Sequence, residues 1–364
     1  MKKKFLSLLA ITGLALSGAL ASCGETGGTT GGSNQVRVLV PSADHGWTAA
    51  VMQNAQAYVE TLNSEGDEYE YSVTTCSSAD EQINQIRDVV AQGAAGVVIL
   101  PFNNDVESGL ISLAQSDIPF VMFDRIIENS AITGDADYVS GVKGDNEAIG
   151  SETAQYFLDH GLAEDSEAKV LVMPGDLSSV PQLRNNGFTS TLKENGWSDA
   201  DLATDGSGRL IFTDYTNWSR DTANELFINW INAAGTDLDG VKYIFTHDSE
   251  ISLGIIEALA SQQITDDLKA AVKENIKFIS SSSGLEEMYQ VIRGDHPRQA
   301  QYDEVLGDIG LFDITYDPHM IESAIDDLNK ALAGETVAKD HTIAVEVVDE
   351  SNVDNIEGFG GKVS

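Results

Sequence analysis

Cysteine, basic side chains and long apolar runs are what this 364-residue chain has least of. Its two cysteines are Cys23 and Cys76. If Cys23 serves another purpose, as argued below, a single thiol remains, which excludes an internal disulfide. No Cys/His cluster has zinc spacing either. Val73-Thr74-Thr75 before Cys76 and Ser77-Ser78 after it put that thiol at a strand end, inert and partly buried. Lys and Arg number 21 against 58 Asp and Glu, a formal net charge of −37. Nucleic-acid binding rests on Lys and Arg neutralising phosphates, so this balance argues against it. It also disfavours adhesion to anionic lipid heads. Acidity of this kind confers solubility and says little about fold. After the first 22 residues no apolar run approaches the ~20 residues a spanning helix needs. There is no Gly-x-Ser-x-Gly elbow and no phosphate loop, since Gly360-Gly361-Lys362 has no helical pattern after it. Acidic residues are spread over the helical segments without a distinctive pair, which disfavours a glycosidase. The expectation is a protein that is not an enzyme, needs no cofactor or metal, and is a monomer.

The N-terminus is built like an export signal. Lys2, Lys3 and Lys4 precede an apolar run from Phe5 to Leu20, and small residues then lead to a cysteine in Leu20-Ala21-Ser22-Cys23. This arrangement resembles the lipobox of bacterial lipoproteins. The resemblance implies that residues 1–22 are removed and that Cys23 carries a diacylglyceryl group. Two or more acyl chains would anchor the protein stably to the outer face of a membrane in the cell envelope. The alternative is an ordinary secretory signal with an incidental cysteine. Residues 24–35 hold no bulky apolar side chain, so segment 23–35 reads as a lipidated cysteine and flexible tether.

Beyond the tether the pattern alternates. Val36-Arg37-Val38-Leu39-Val40 reads as a strand, and Trp47, Val51, Ala55, Tyr58, Val59 and Leu62 recur at helical spacing. Strands are expected at 69–74, 96–100, 119–123, 169–173, 209–213, 241–246, 276–280, 298–302 and 341–348. Helices are expected at 79–92, 105–115, 145–160, 181–195, 218–234, 250–262, 285–293 and 318–333. Strand–helix alternation of this length implies parallel sheets wrapped by helices. About ten strands are too many for one compact layer, so the fold class is α/β with two Rossmann-like lobes. Ligands of such sheets sit outside the carboxyl ends of the strands.

The residues just after the strands mix carboxylates, Arg, His, Gln and Trp. They are His45 and Trp47 in the segment from Ser42, then Asp124-Arg125, Arg184, Asn217-Trp218-Ser219-Arg220, His247-Asp248-Ser249-Glu250, the serine run ending in Ser282-Ser283-Gly284, and Gln301-Tyr302-Asp303. A sugar needs that mixture, because its hydroxyls donate and accept while its C–H faces pack on rings. Hydrogen bonds to charged groups contribute roughly 1.5–3 kcal/mol each, so several of them with two stacked rings reach ~8 kcal/mol, a micromolar site. Each residue also has a plainer reading. Asp124-Arg125 suits a surface ion pair, Trp47 and Trp218 suit a core, His247 a helix entry, Asp248 a helix N-cap, and the serines a polar turn.

Taken together these residues resemble the type I periplasmic sugar-binding proteins, the ribose/galactose-type substrate-binding components of ABC importers. The resemblance runs from about Val36 to about Asp354. It rests on Ile118-Pro119-Phe120-Val121-Met122-Phe123-Asp124-Arg125, on Asp145-Asn146 with Gly150, on Arg184 with Gly187-Phe188, and on Asp248 to Gly254 followed by Glu257-Ala258-Leu259. It implies two lobes, 36–141 with 302–342 and 142–301 with 343–364, joined by three crossings near 139–146, 299–304 and 340–346. It implies a monosaccharide gripped between the lobes by His45, Trp47, Asp124, Arg125, Arg184, Trp218, Asp248, Ser282 and Gln301, with Trp47 and Trp218 above and below the ring. The closed form would then deliver the sugar to a membrane permease, or, in the alternative, signal to a chemoreceptor or sensor kinase. His45, Asp248, Ser249 and Ser282 depart from the residues usual in the family, so the identity of the sugar does not carry over. Asp237-x-Asp239-Gly240 is too short to make the calcium loop of the galactose type.

Overall fold

The computed structural model describes residues 34–43, 46–66, 68–132 and 137–363. The export signal, Cys23, residues 24–33 and His45 lie outside the described residues.

The chain begins with β1 (Gln35–Pro41), α1 (Gly46–Glu65), β2 (Glu70–Cys76), α2 (Ala79–Gln92), β3 (Gly96–Ile99), α3 (Glu107–Ala114), β4 (Phe120–Phe123) and β5 (Ser140–Gly144). A second series follows with α4 (Asn146–Phe157), β6 (Lys169–Met173), α5 (Ser179–Glu194), β7 (Leu210–Phe212), α6 (Arg220–Ala234) and β8 (Val241–Thr246). It continues with α7 (Ser249–Ala260), α8 (Asp266–Asn275), β9 (Phe278–Ser280), α9 (Glu286–Arg293), α10 (Gln299–Leu306) and β10 (Gly310–Ile314). The chain then returns to the first series for α11 (Met320–Leu332) and β11 (Asp340–Ile343), and ends in the second with β12 (Val347–Val348). The return is pinned by Tyr58 and Tyr71 of the first series, whose hydroxyls donate to Asp326 and Asn329 of α11.

Two six-stranded sheets result, in the orders β11-β5-β4-β3-β1-β2 and β12-β10-β9-β8-β6-β7. Every strand pairing is parallel except β10 with β12. Parallel strands are covered on both faces by helices, which is why Gly96-Val97-Val98-Ile99 and Phe120-Val121-Met122-Phe123 are continuous apolar runs, buried throughout. In each sheet the order reverses once, between β1 and β3 and between β6 and β8. The carboxyl ends of these strands are therefore the expected ligand crevice. Several helices start there on side-chain caps. Asp145, Ser219 and Asp248 accept backbone N–H groups at the starts of α4, α6 and α7.

The structure corrects one stretch of the sequence reading. The strand expected at 298–302 is helix α10, and the strand lies at 310–314. Tyr302, Val305 and Leu306 are buried on one helical face, a spacing of three and four that outweighs the short Gln-Tyr match. Residues 302–314 accordingly belong with the second sheet rather than the first. The crossings fall at 145–146, 315–319 and 344–346, so the one expected near 299–304 is displaced. Helix α8 was unanticipated, although Thr265 caps it and acids fill its first turn. The expected strand 341–348 divides into β11 and β12, one in each sheet. Cys76 ends β2, and burial pushes its thiol up to about 11. No helix among the described residues is long and apolar enough to cross a membrane.

Candidate functional site

A cavity of about 230 Å³ opens where the carboxyl ends of the two sheets meet. One water needs only ~10–15 Å³, so this space suits a ring-sized molecule. The first series supplies Ala43, Gly46, Trp47 and Thr48 from the turn into α1, with Asp124 and Arg125 from the end of β4. The second supplies Val180 and Arg184 from α5, Asn217, Trp218 and Ser219 before α6, Asp248 and Glu250 at the start of α7, and Ser283 after β9. Tyr316, between β10 and α11, completes the lining.

Backbone conformation singles out the same place. Among the described residues, six other than glycine have positive φ, and Asp124 (61°), Asn217 (52°), Trp218 (60°) and Ser283 (122°) of these line the cavity. Positive φ in a bulky side chain such as tryptophan is a genuine outlier, and such strain costs of order 1–3 kcal/mol per residue. The turns pay this to aim their side chains at one point.

Arg184 is the electrostatic centre. It is 2% exposed. Its Nε donates to Asn146 Oδ1 at 2.9 Å, and its Nη1 donates to Ser282 Oγ at 3.0 Å and to the carbonyl of His247. Its guanidinium also lies 5.6 Å from the Trp218 ring and 5.1 Å from the Tyr316 ring, within cation–π range. Burial pulls its pKa down, opposed by Tyr316, Asp248, Asp124 and Asp313. Asp124, 6% exposed, accepts from the Tyr316 hydroxyl and lies 3.8 Å from Arg125 Nε. Burial raises its pKa, and Arg125, Tyr316 and Arg184 oppose the rise. Arg125 donates to the carbonyls of Pro101 and Phe102 and comes within 3.8 Å of Asp176, on the loop after β6. Asp248 uses Oδ1 to cap Glu250 N–H and lines the cavity. Glu250 is held by Arg220 Nε on Oε2 at 2.6 Å, and among the described residues nothing donates to its Oε1.

The rings have defined backing. Trp47 stacks on Phe123 at 5.9 Å and donates from Nε1 to the Tyr316 carbonyl at 2.7 Å. Trp218 lies against Gly175, where a Cβ would approach Cζ2 to 2.3 Å. A side chain at 175 would push the indole off its seat.

Of the residues expected from sequence, Trp47, Asp124, Arg125, Arg184, Trp218 and Asp248 surround this one cavity. Two expectations are corrected. Ser282 is fully buried behind the wall, bonded to Arg184 and to the His247 carbonyl, and the neighbouring Ser283 lines the cavity instead. Gln301 is exposed on α10, where it pairs with Arg298 and the Ala260 carbonyl and does not line the cavity. Three further residues line the cavity: Tyr316, which the sequence reading does not name, and Asn217 and Glu250, which stand in its strand-end segments but not among its expected contacts. Asn217 adjoins Trp218 and Glu250 is two residues past Asp248, so both were within reach of the strand-end rule. Tyr316 was hidden because the strand preceding it had been placed too early. Among the described residues no group of three or more His, Cys, Asp or Glu side chains could hold a metal ion.

The buried carboxylates give a pH signature. Burial pushes Asp248 up to about 7 and Asp313, which accepts from Ser249 Oγ and Gly284 N–H, up to about 6. Both lie above the ordinary ~3.9. Between about pH 4 and 7 the folded chain therefore keeps protons that the unfolded chain has released. Their contribution to stability is full below pH 4 and is lost as pH rises through 6 and 7. We expect the thermal midpoint of the wild type to drop relative to Asp313→Asn between pH 5 and pH 8, as followed by circular dichroism. Parallel curves for the two proteins across that range would contradict the assignment.

A family model described as a periplasmic binding protein domain matches residues 36–301. A xylitol-binding protein of Mycolicibacterium smegmatis is 23% identical over 180 residues, 49% of this chain and 45% of that protein. A D-xylose-binding periplasmic protein of Haemophilus influenzae is 26% identical over 195 residues, half of each chain. The chain thus spans about half the length of the curated relatives it matches. Among solved structures, an ABC transporter solute-binding protein from Mycobacterium smegmatis with bound glycerol superposes with a TM-score of 0.67 at 19% identity, covering 92% of this chain and 100% of that one. At that identity the likeness shows a shared fold.

Proposed function

Because the chain belongs to the periplasmic binding protein family, we propose that it captures a monosaccharide or closely related polyol between its two halves and delivers it to the permease of an ABC importer. The observation that carries this reading is the convergence of Trp47, Asp124 and Arg125 from the first half with Arg184, Trp218 and Asp248 from the second on one ring-sized cavity. The carboxyl groups of Asp248 and Glu250 accept hydrogen bonds from hydroxyls, and the guanidinium groups of Arg125 and Arg184 donate to hydroxyl oxygens. Trp47 and Trp218 offer apolar faces to C–H groups. The relatives named for xylitol and D-xylose support a ligand of this size and polarity. Ligand drives closure of the halves only if it binds the closed arrangement better than the open one. The lipobox adds to this proposal an anchor at Cys23 that holds the binding domain near its permease.

Calorimetric titration of the purified chain with pentoses, hexoses, deoxyhexoses and acyclic polyols tests the reading. Binding of at least one at micromolar or tighter affinity is expected, and heat from none of them would overturn it. The seat of Trp218 gives a second test. In Gly175→Ala the added methyl group displaces the indole, so affinity is expected to fall tenfold or more while the unfolding midpoint moves little. Unchanged affinity would show that the Trp218 ring takes no part.

A further inference from the structure

Tyr316 stands where both halves meet, on the 315–319 crossing, and is 3% exposed. Its hydroxyl donates to Asp124 Oδ1 and accepts from Asn146 Nδ2 at 3.1 Å. Asn146 lies on the 145–146 crossing and takes Arg184 Nε on its Oδ1 at 2.9 Å. A continuous relay therefore runs Asp124–Tyr316–Asn146–Arg184. It begins on an acid of the first half, passes through one side chain on each of two crossings, and ends on a cation of the second half. The relay is rigidly seated. The Tyr316 carbonyl takes Trp47 Nε1 at 2.7 Å, the Trp47 and Tyr316 rings are 5.3 Å apart, and the phenol edge covers Gly144, where a Cβ would lie 2.2 Å from it.

This geometry bears on the mechanics of the proposed capture. Any rotation of one half against the other turns about the crossings, and so moves Asp124 relative to Arg184 through Tyr316 and Asn146. We propose that Tyr316 is a positioning residue which, with Asn146, locks Asp124 and Arg184 at the mutual distance that grips the ligand. The proposal rests on the binding function above. It assigns to Tyr316 no contact energy of its own beyond the packing of its ring.

Tyr316→Phe removes the hydroxyl and keeps the ring on Gly144 and Trp47. Calorimetry and stopped-flow binding on the full chain, with a ligand found in the sugar panel, should show affinity reduced about tenfold, the loss expected when one hydrogen bond to a charged group is removed. The loss should sit in a faster dissociation rate, with one site per chain retained; a merely structural defect would lower the stoichiometry instead. Asn146→Ala interrupts the same relay, so the double variant should bind about as weakly as either single one, whereas independent contacts would multiply to about a hundredfold. If Asn146→Ala does not fold, Asn146→Ser takes its place. A wild type that binds the ligand beside an unaltered Tyr316→Phe, or multiplicative losses in the double variant, would overturn the relay alone. A wild type that binds nothing in the panel would overturn both the relay and the function it serves.

Discussion

Replacing Arg184 by methionine or by lysine is expected to weaken ligand binding at least a hundredfold and to destabilise the fold by about 3–5 kcal/mol, the range found when one member of a buried charged network is removed. Its guanidinium satisfies Asn146 Oδ1, Ser282 Oγ and the His247 carbonyl at once, all of them buried or nearly so. Methionine fills the volume but leaves Asn146 Oδ1 without its donor, at a desolvation penalty of about 1–3 kcal/mol, and reduces Ser282 Oγ and the His247 carbonyl to the one hydrogen bond between them. Lysine keeps the charge as a single point and cannot reach three acceptors in a fork. It also removes the plane that faces the Trp218 and Tyr316 rings. Among the described residues Arg184 is the one Lys or Arg buried with the carboxylates Asp124, Asp248 and Asp313, so its loss raises the cost of every charge in the site. Calorimetry at a temperature well below the unfolding midpoint separates the binding defect from the stability defect measured by urea titration. Wild-type affinity in Arg184→Met would contradict the assigned role.

The second large effect is expected at two glycines that do not themselves line the cavity. Helices α4 and α5 cross in direct contact, and a Cβ on Gly150 would lie 1.9 Å from the Arg184 carbonyl oxygen. On the other helix a Cβ on Gly187 would lie 1.9 Å from the Glu147 carbonyl oxygen. Both obstacles are backbone atoms, so no rotamer change relieves them and the helices must separate. Overpacking of a core costs about 1–3 kcal/mol even where side chains adjust, and here we expect 3 kcal/mol or more for Gly150→Ala or Gly187→Ala in urea unfolding. Once one methyl group has forced the helices apart, the second meets less resistance, so the double variant should lose less than the sum. Because α5 carries Arg184 and α4 begins at Asn146, any variant that still folds should bind ligand more weakly. Losses below 1 kcal/mol would mean that the crossing is looser than described.

Much of this was legible in the sequence because it depends on local chemistry. Val36–Val40 and Phe120–Phe123 announce buried parallel strands, and the polar residues that follow them lie at carboxyl ends because of how such strands are wound. Gly150 and Gly187 were visible as motif members, though the reason for them, a helix crossing, needs three dimensions. Gln301 shows the limit. A glutamine beside a tyrosine looked like a strand end, but the neighbouring Val305 and Leu306 complete a helical face and carry it onto the surface. Moving that one strand from 298–302 to 310–314 is what reveals Tyr316. Glu250 stands in a strand-end segment of the sequence, but what holds it at the cavity does not show there. Its place at the cavity depends on Arg220, which lies 30 residues earlier and holds its carboxylate at 2.6 Å.

If the proposed capture is right, one ligand is held by both halves together. Hydrogen exchange of the backbone amides, with and without a saturating sugar, tests it most directly. Exchange is expected to slow in 120–126 of the first half and in 180–188 and 246–250 of the second, with 314–317 between them. Slowing confined to the segments of a single half would contradict it.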